Sequence, residues 1–141
     1  MNMSNSKQYV VFTLDEDEYA IDIQRVVEIV TPTVITRVPK APSYIRGVIN
    51  LRGEIIPVMG LRERFNLPQE KESEEVRIMI FKVNEASIGA FVDSVLEVIT
   101  LANEQIENIS YNNDESLDLV YGVGKIDQRV ITLINIDKLM G

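Results

Sequence analysis

Two registers of self-similarity run through this chain of 141 residues, and they restrict its fold more than any single motif does. A shift of 69 residues lays Phe12 on Phe81, Leu14 on Val83, Ile23 on Val92, Val26 on Val95, Glu28 on Glu97, Ile29 on Val98 and Thr31 on Thr100 without a gap. Both segments read as strand, turn, strand and a short apolar-Glu-apolar element. A shift of 75 residues lays Gly47-Val48 on Gly122-Val123, Ile55-Ile56 on Val130-Ile131 and Leu61 on Ile136. The chain therefore divides into two related halves, about 8–66 and 77–141, after a polar N-terminal arm over residues 1–7. Each half is too small for a generous core of its own, so the two are expected to pack together, with strands free to exchange between them. The expected architecture is all-β: a pair of five-stranded barrels sharing an interface, whose division of strands the repeat leaves open.

The local pattern agrees. Short runs rich in Val, Ile, Phe and Tyr end at turn signals throughout. Tyr9–Leu14 and Tyr19–Ile23 read as a hairpin around the acidic tetrad Asp15 to Glu18, and Tyr19, Ile21 and Ile23 give it one buried face. Gln24–Ile29 breaks the period of two and fits either a short helix or an extended crossing segment. Val48–Asn50 and Glu54–Val58 flank Leu51-Arg52-Gly53, a tight hairpin in which Gly53 supplies a positive φ. Pro57 is expected on an edge strand or at a bulge. Further strands are expected over Val76–Val83, Ser87–Val92, Val95–Ile99, Gly122–Ile126 and Val130–Ile136. Loops are expected over Pro68–Glu75 and around Asn112–Glu115.

Composition removes much chemistry. With no Cys and no His, thiol catalysis, Ser-His-Asp hydrolysis, Cys/His zinc sites and histidine phosphotransfer are impossible here. The net charge of −8 and the absence of Trp argue against a nucleic-acid groove, and no segment approaches the length of a membrane-spanning helix. A cytoplasmic protein is expected, and the patterns Asn2-Met3-Ser4 and Asn108-Ile109-Ser110 are read as chance rather than glycosylation sites. The charge is unevenly spread: between Arg25 and Arg64 seven basic residues face three acidic ones, 7 − 3 = +4, leaving −12 elsewhere. Such asymmetry suits either a solvated face or a surface for an oppositely charged partner.

The remaining catalytic candidates are weak. Asp15 with Asp17, or Glu74 with Glu75, pair carboxylates, but in charge-dense turns without a complete ligand pattern. The Asn112–Asp118 segment lacks calcium-loop spacing, and Gly122-Val123-Gly124 lacks the third Gly and following helix of a dinucleotide site. No metal and no cofactor are expected. An acidic β-barrel enzyme built on Asp93 or Asp127 is the alternative class, and a perturbed carboxylate in a closed pocket would favour it.

One run stands apart: Val38 to Phe65, VPKAPSYIRGVINLRGEIIPVMGLRERF. Its Val38-Pro39, Pro42, Ile45, Gly47 through Gly53, Ile55, Pro57-Val58 and Leu61 resemble the CheW family, the coupling proteins of bacterial chemotaxis. Similarity extends from Gln8 to Leu139, through Arg25–Ile29, Phe91–Val95, Glu104–Ile106 and Leu133–Leu139. Gly60 departs from the pattern, since the family usually carries Asp before the Leu. The resemblance implies a non-enzymatic adaptor of two intertwined Src-homology-3-like barrels with one or two short helices. Such an adaptor bridges the cytoplasmic tip of methyl-accepting chemotaxis receptors to the regulatory domain of the histidine kinase CheA. It is recruited to membrane-associated receptor arrays without inserting in the membrane.

Carried over by residue, the implied receptor-binding positions are Val26, Glu28 and Arg52, and the implied kinase-binding positions are Val76, Gly89 and Val98. Gly47 and Gly53 are implied as structural turn residues. Four of these contacts have a plainer rival: a solvated turn for Arg52, core packing for Val26, a structural role shared with Glu97 for Glu28, and a strand intolerant of side chains for Gly89.

Overall fold

The computed structural model describes residues 5–68, 73–109 and 119–139. Within them the apolar runs become eleven strands. In chain order these are β1 (Ser6–Leu14), β2 (Asp17–Asp22), β3 (Val26–Val30), β4 (Ile45–Leu51) and β5 (Glu54–Gly60), followed by one helical turn, α1 (Leu61–Arg64). Then come β6 (Arg77–Val83), β7 (Ala86–Val92), β8 (Ser94–Ala102), β9 (Ile106–Asn108), β10 (Val120–Ile126) and β11 (Arg129–Ile134). Three-residue 3-10 turns run over Ile23–Arg25, Asn103–Gln105 and Ile136–Lys138. The fold is all-β with few helices, as the strand runs lead one to expect.

The strands form two sheets, ordered β8-β1-β2-β11-β10-β9 and β3-β6-β7-β5-β4. Each belongs largely to one of two compact units, Met1–Gln24 with Leu96–Gly141, and Arg25–Val95. Four antiparallel hairpins form the body of the sheets, and each sheet joins one hairpin from each half of the sequence through a parallel pair. The joints are repeat-equivalent. Leu133 lies opposite Ala20 in the parallel pair of β11 with β2, and Val58 lies opposite Gly89 in that of β5 with β7. Subtracting 75 from Leu133 and adding 69 to Ala20 converts the first pair into the second.

The sixth strand, β9, has no sequence-based expectation behind it. Glu107 pairs with Val123 in one sheet, and the residue 75 positions before Val123, Val48, makes an isolated bridge with Thr36 in the other. The extra strand is thus a longer form of a single bridge. Both approaches need glycine: a Cβ on Gly47 (φ 149°) would lie 2.3 Å from the Thr36 carbonyl oxygen, and one on Gly122 would lie 2.8 Å from that of Glu107. Gly47 is therefore structural, but within β4 at a bulge rather than in a turn.

Three local expectations need correction. The turn of the first hairpin is shorter than the acidic tetrad, because β2 already begins at Asp17 and Asp15 alone carries a positive φ (61°). Gln24–Ile29, open to a short helix or an extended crossing segment, is not one element: Gln24 and Arg25 belong to a 3-10 turn, and residues 26–30 take the extended alternative as β3, antiparallel to β6 with a bulge at Val27. Pro57 lies in an inner strand, not an edge. Its missing N–H is tolerated because its antiparallel partner Val48 turns both N–H and C=O to Thr36 (2.8 and 2.9 Å), and pairing with β7 starts one residue later, at Val58. The arm read over residues 1–7 contributes Ser6 and Lys7 to β1. Its first four residues lie outside the described residues, as do residues 69–72 of the Pro68–Glu75 loop, the Asn112–Glu115 loop and Ser110 of the glycosylation-like pattern.

Each unit has its own core. Tyr9, Val11, Ala20, Ile99, Leu101, Ile131 and Leu133 pack together in one, and Ile49, Ile56, Val58, Val76, Ile78, Ile80 and Phe91 in the other. Fully burying such side chains stabilises by roughly 1.5–3 kcal/mol each. Among the described residues, no buried side-chain nitrogen or oxygen lacks a hydrogen-bond partner.

Candidate functional site

The β4–β5 hairpin turns on Arg52 and Gly53, both with positive φ (51° and 86°), the type I′ geometry that follows strand twist. Asn50 Oδ1 accepts the Gly53 N–H at 2.9 Å and locks the turn. That rigid tip carries the Arg52 side chain, 70 % exposed, into an ion pair with Glu28 on β3. The structure thus brings together two of the three residues named for receptor contact. Val26 is half-buried, while its neighbours Val27 and Ile29 stand 50 % and 38 % exposed. Ile55, just after the hairpin tip, is 59 % exposed.

The other unit repeats this arrangement. Glu97, the counterpart of Glu28, pairs with Arg129 at 2.8 Å, and Arg129 also donates to Glu18 at 2.5 Å. Leu96, Val98 and Val130 are 49 %, 48 % and 60 % exposed, and they stand at the repeat positions of Val27, Ile29 and Ile55. Each unit therefore carries, at repeat-equivalent positions, three exposed apolar side chains, and an Arg–Glu pair made by the equivalent glutamate. Composition and motif reading miss four of these residues, Ile55, Leu96, Arg129 and Val130, while Val27 and Ile29 enter it only as neighbours of Val26 that could line a receptor groove. The signal that finds Ile55 is Ile55-Ile56 itself, since adjacent strand residues face opposite ways and one must point out; the 75-residue shift then finds Val130.

The kinase-binding candidates fall in two environments. Val98 is on the surface, but Val76 (9 % exposed) belongs to the core and Gly89 is buried in β7. A Cβ on Gly89 would meet Ile78 Cγ2 at 3.0 Å and Ile80 Cδ1 and Val58 Cγ2 at 3.2 Å, a wholly apolar setting.

The carboxylates proposed for catalysis are held otherwise. Arg62 grips Asp93 through both oxygens, Nε to Oδ1 at 3.0 Å and Nη2 to Oδ2 at 2.6 Å, and a further bond runs from Arg62 to the Pro68 carbonyl at 2.7 Å. Asp127 is exposed at the two-residue turn between β10 and β11. Glu74 and Glu75 are exposed, and among the described residues no group of three or more acidic side chains is arranged to hold a metal ion.

Glu63 is shifted differently. Burial pushes its carboxyl up, but hydrogen bonds and charge from Arg46 outweigh that and hold it below the ordinary carboxylate value. Arg46 binds it bidentately (2.9 and 3.1 Å) and stacks over the Phe91 ring at 4.3 Å. The Glu63 carboxylate lies against Gly60, where a Cβ would come 2.2 Å from Oε1. The glycine at this position thus leaves room for the carboxylate that pairs with Arg46.

Comparison with known proteins gives one family. A CheW-like domain matches residues 8–141. The chemotaxis protein CheW of Helicobacter pylori is 34 % identical over 133 residues, covering 94 % of this chain and 81 % of that protein. The chemotaxis protein CheW of Bacillus subtilis is 32 % identical over 139 residues, covering 98 % and 89 %. The crystal structure of the scaffolding protein TtCheW from Thermoanaerobacter tengcongensis superimposes with a TM-score of 0.86 at 38 % identity, covering 94 % of this chain and 91 % of that one.

Proposed function

The chain belongs to the CheW-like family, and from that membership we propose that it is a chemotaxis coupling adaptor, joining methyl-accepting receptors to the regulatory domain of the histidine kinase CheA by binding alone. The observation that carries this reading is the doubled set of exposed groups, Val27, Ile29 and Ile55 with the Glu28–Arg52 pair in one unit and Leu96, Val98 and Val130 with the Glu97–Arg129 pair in the other. A bridging protein needs two binding surfaces, whereas an enzyme needs one enclosed site.

In this reading the receptor tip docks at Arg52 and Glu28, with Val26 supporting β3 from beneath. The kinase docks where Val98 is exposed. Val76 and Gly89 are interior to the other unit, so substitutions there act on that unit's packing rather than on the Val98 contact. Recruitment to membrane-associated arrays follows from the receptor contact; among the described residues no helix is long and apolar enough to cross a membrane. Each contact can be weak, because arrays gain strength from multivalency.

Co-sedimentation with membranes containing a chemotaxis receptor, with and without the kinase regulatory domain, tests the assignment. Arg52→Glu is expected to lose receptor binding and keep kinase binding, with a melting temperature within about 5 °C of wild type, because an exposed pair contributes roughly 1 kcal/mol or less. Pairing it with Glu28→Arg restores the ion pair, and a regain of receptor binding would locate the contact in the pair itself. Receptor binding that survives Arg52→Glu would overturn the receptor face.

A further inference from the structure

The connection between β3 and β4 holds a feature that the receptor and kinase surfaces leave unused. From Ile29 to Gly53 the sequence contains four basic residues, Arg37, Lys40, Arg46 and Arg52, and no acidic one, in a chain with 22 Asp plus Glu. Arg46 and Arg52 are neutralised by Glu63 and Glu28. Among the described residues Arg37 and Lys40 form no ion pair, and both are exposed. They line a cleft of about 410 Å³ together with Val38, Pro39, Pro42 and the stem of Arg46.

The backbone there is built rather than slack. Thr36 is tied to Val48 by two hydrogen bonds (2.9 and 2.8 Å), the Ile45 N–H bonds to the Pro42 carbonyl at 2.9 Å, and the Ala41 N–H points back to the Val38 carbonyl at 3.4 Å. Pro39 followed by Lys40 at φ 67° is the pattern of a type II turn, whose third position glycine adopts freely and a residue with a Cβ does not. Lysine therefore occupies the position at a conformational cost, and what the side chain adds is an ammonium group at the mouth of the cleft. Two prolines pre-set the apolar walls, which lowers the ordering cost of any ligand contact.

We infer that this cleft is a docking site for a short acidic, partly apolar peptide segment of a partner protein, with Arg37 and Lys40 receiving carboxylates and the Val38–Pro42 wall receiving an aliphatic side chain. The charge of the cleft opposes that of the chain as a whole, so repulsion from the acidic body restricts the ligand to a short local contact, and salt weakens binding by screening the attraction at Arg37 and Lys40.

The test is fluorescence anisotropy of the full chain with a fluorescein-labelled peptide of alternating glutamate and leucine, against the same peptide with lysine for glutamate. Saturable binding of the acidic peptide alone is expected, weakening as salt rises. Loss of one charged hydrogen-bond donor is expected to weaken it roughly tenfold in Lys40→Gly and in Arg37→Gln. Lys40→Gly is expected to melt no lower than wild type, because glycine suits the turn, and this separates binding from folding. Arg52→Glu is expected to bind the peptide as wild type does, which separates this site from the receptor face. Equal binding of both peptides, binding undiminished in both cleft variants, or binding to phosphatidylserine vesicles but not to the acidic peptide would each overturn the inference.

Discussion

Glu63 shows how one missing side chain shapes a local network. Its carboxylate lies where a side chain on residue 60 would begin, and it meets Arg46, which in turn covers Phe91. Gly60→Asp would displace a flexible carboxylate rather than backbone, so the steric cost is small. The new acid would nevertheless sit beside Glu63 and compete for Arg46, and a loss of about 1 kcal/mol is expected in chemical denaturation. The titration follows from the same contacts. Because the folded-state value of Glu63 is lowered, its contribution is present above the ordinary carboxylate value of 4.5 and is lost as pH falls through the lowered one. The stability difference between wild type and Glu63→Gln is expected to be constant near neutrality and to vanish in acid; a difference that stays constant across the whole acid range would mean that packing, not charge, holds the residue. At this scale the sequence was only partly legible. Arg52 and Glu28 were each found through the resemblance, but their meeting is a tertiary contact across 24 positions that no local pattern encodes.

Among elements, β7 and β8 separate two meanings of a binding residue. Gly89 in β7 is enclosed by Ile78, Ile80 and Val58, and Val98 in β8 is on the surface. Gly89→Asp would bury a carboxylate among methyl groups, and a loss of roughly 3 kcal/mol or more is expected, readable as a lower denaturation midpoint. Val98→Asp is expected to leave the midpoint nearly unchanged. If Gly89→Asp retains wild-type stability, the sheet around it yields more than its packing suggests. Residues 26–30 explain why a strand was open to a helical reading: four apolar residues around Glu28 fit either period, and the choice was made by β6, to which β3 pairs. Leu51-Arg52-Gly53 was legible because turn chemistry is local; Pro57 was not, since its tolerance depends on Val48 bonding to Thr36 instead.

For the whole molecule, the repeat carried most of what could be known in advance. The two shifts superimpose β1–β2 on β6–β7 and β4–β5 on β10–β11 almost residue for residue. They could not reveal that hairpins of opposite halves meet edge to edge, because the parallel joints of β2 with β11 and β5 with β7 are made between residues far apart in the chain. Nor could they reveal which members of each apolar run stay exposed, which is where the doubled set of exposed groups lies. If that set is what makes the chain an adaptor, a change in one unit removes one partner and leaves the other. The most direct measurement is a calorimetric titration of the full chain with the regulatory domain of a chemotaxis kinase, for wild type, Val98→Asp and Arg52→Glu. Saturable one-to-one binding is expected for wild type and Arg52→Glu, with loss in a folded Val98→Asp. No binding by folded wild type at tens of micromolar, or equal binding by all three proteins, would contradict the assignment.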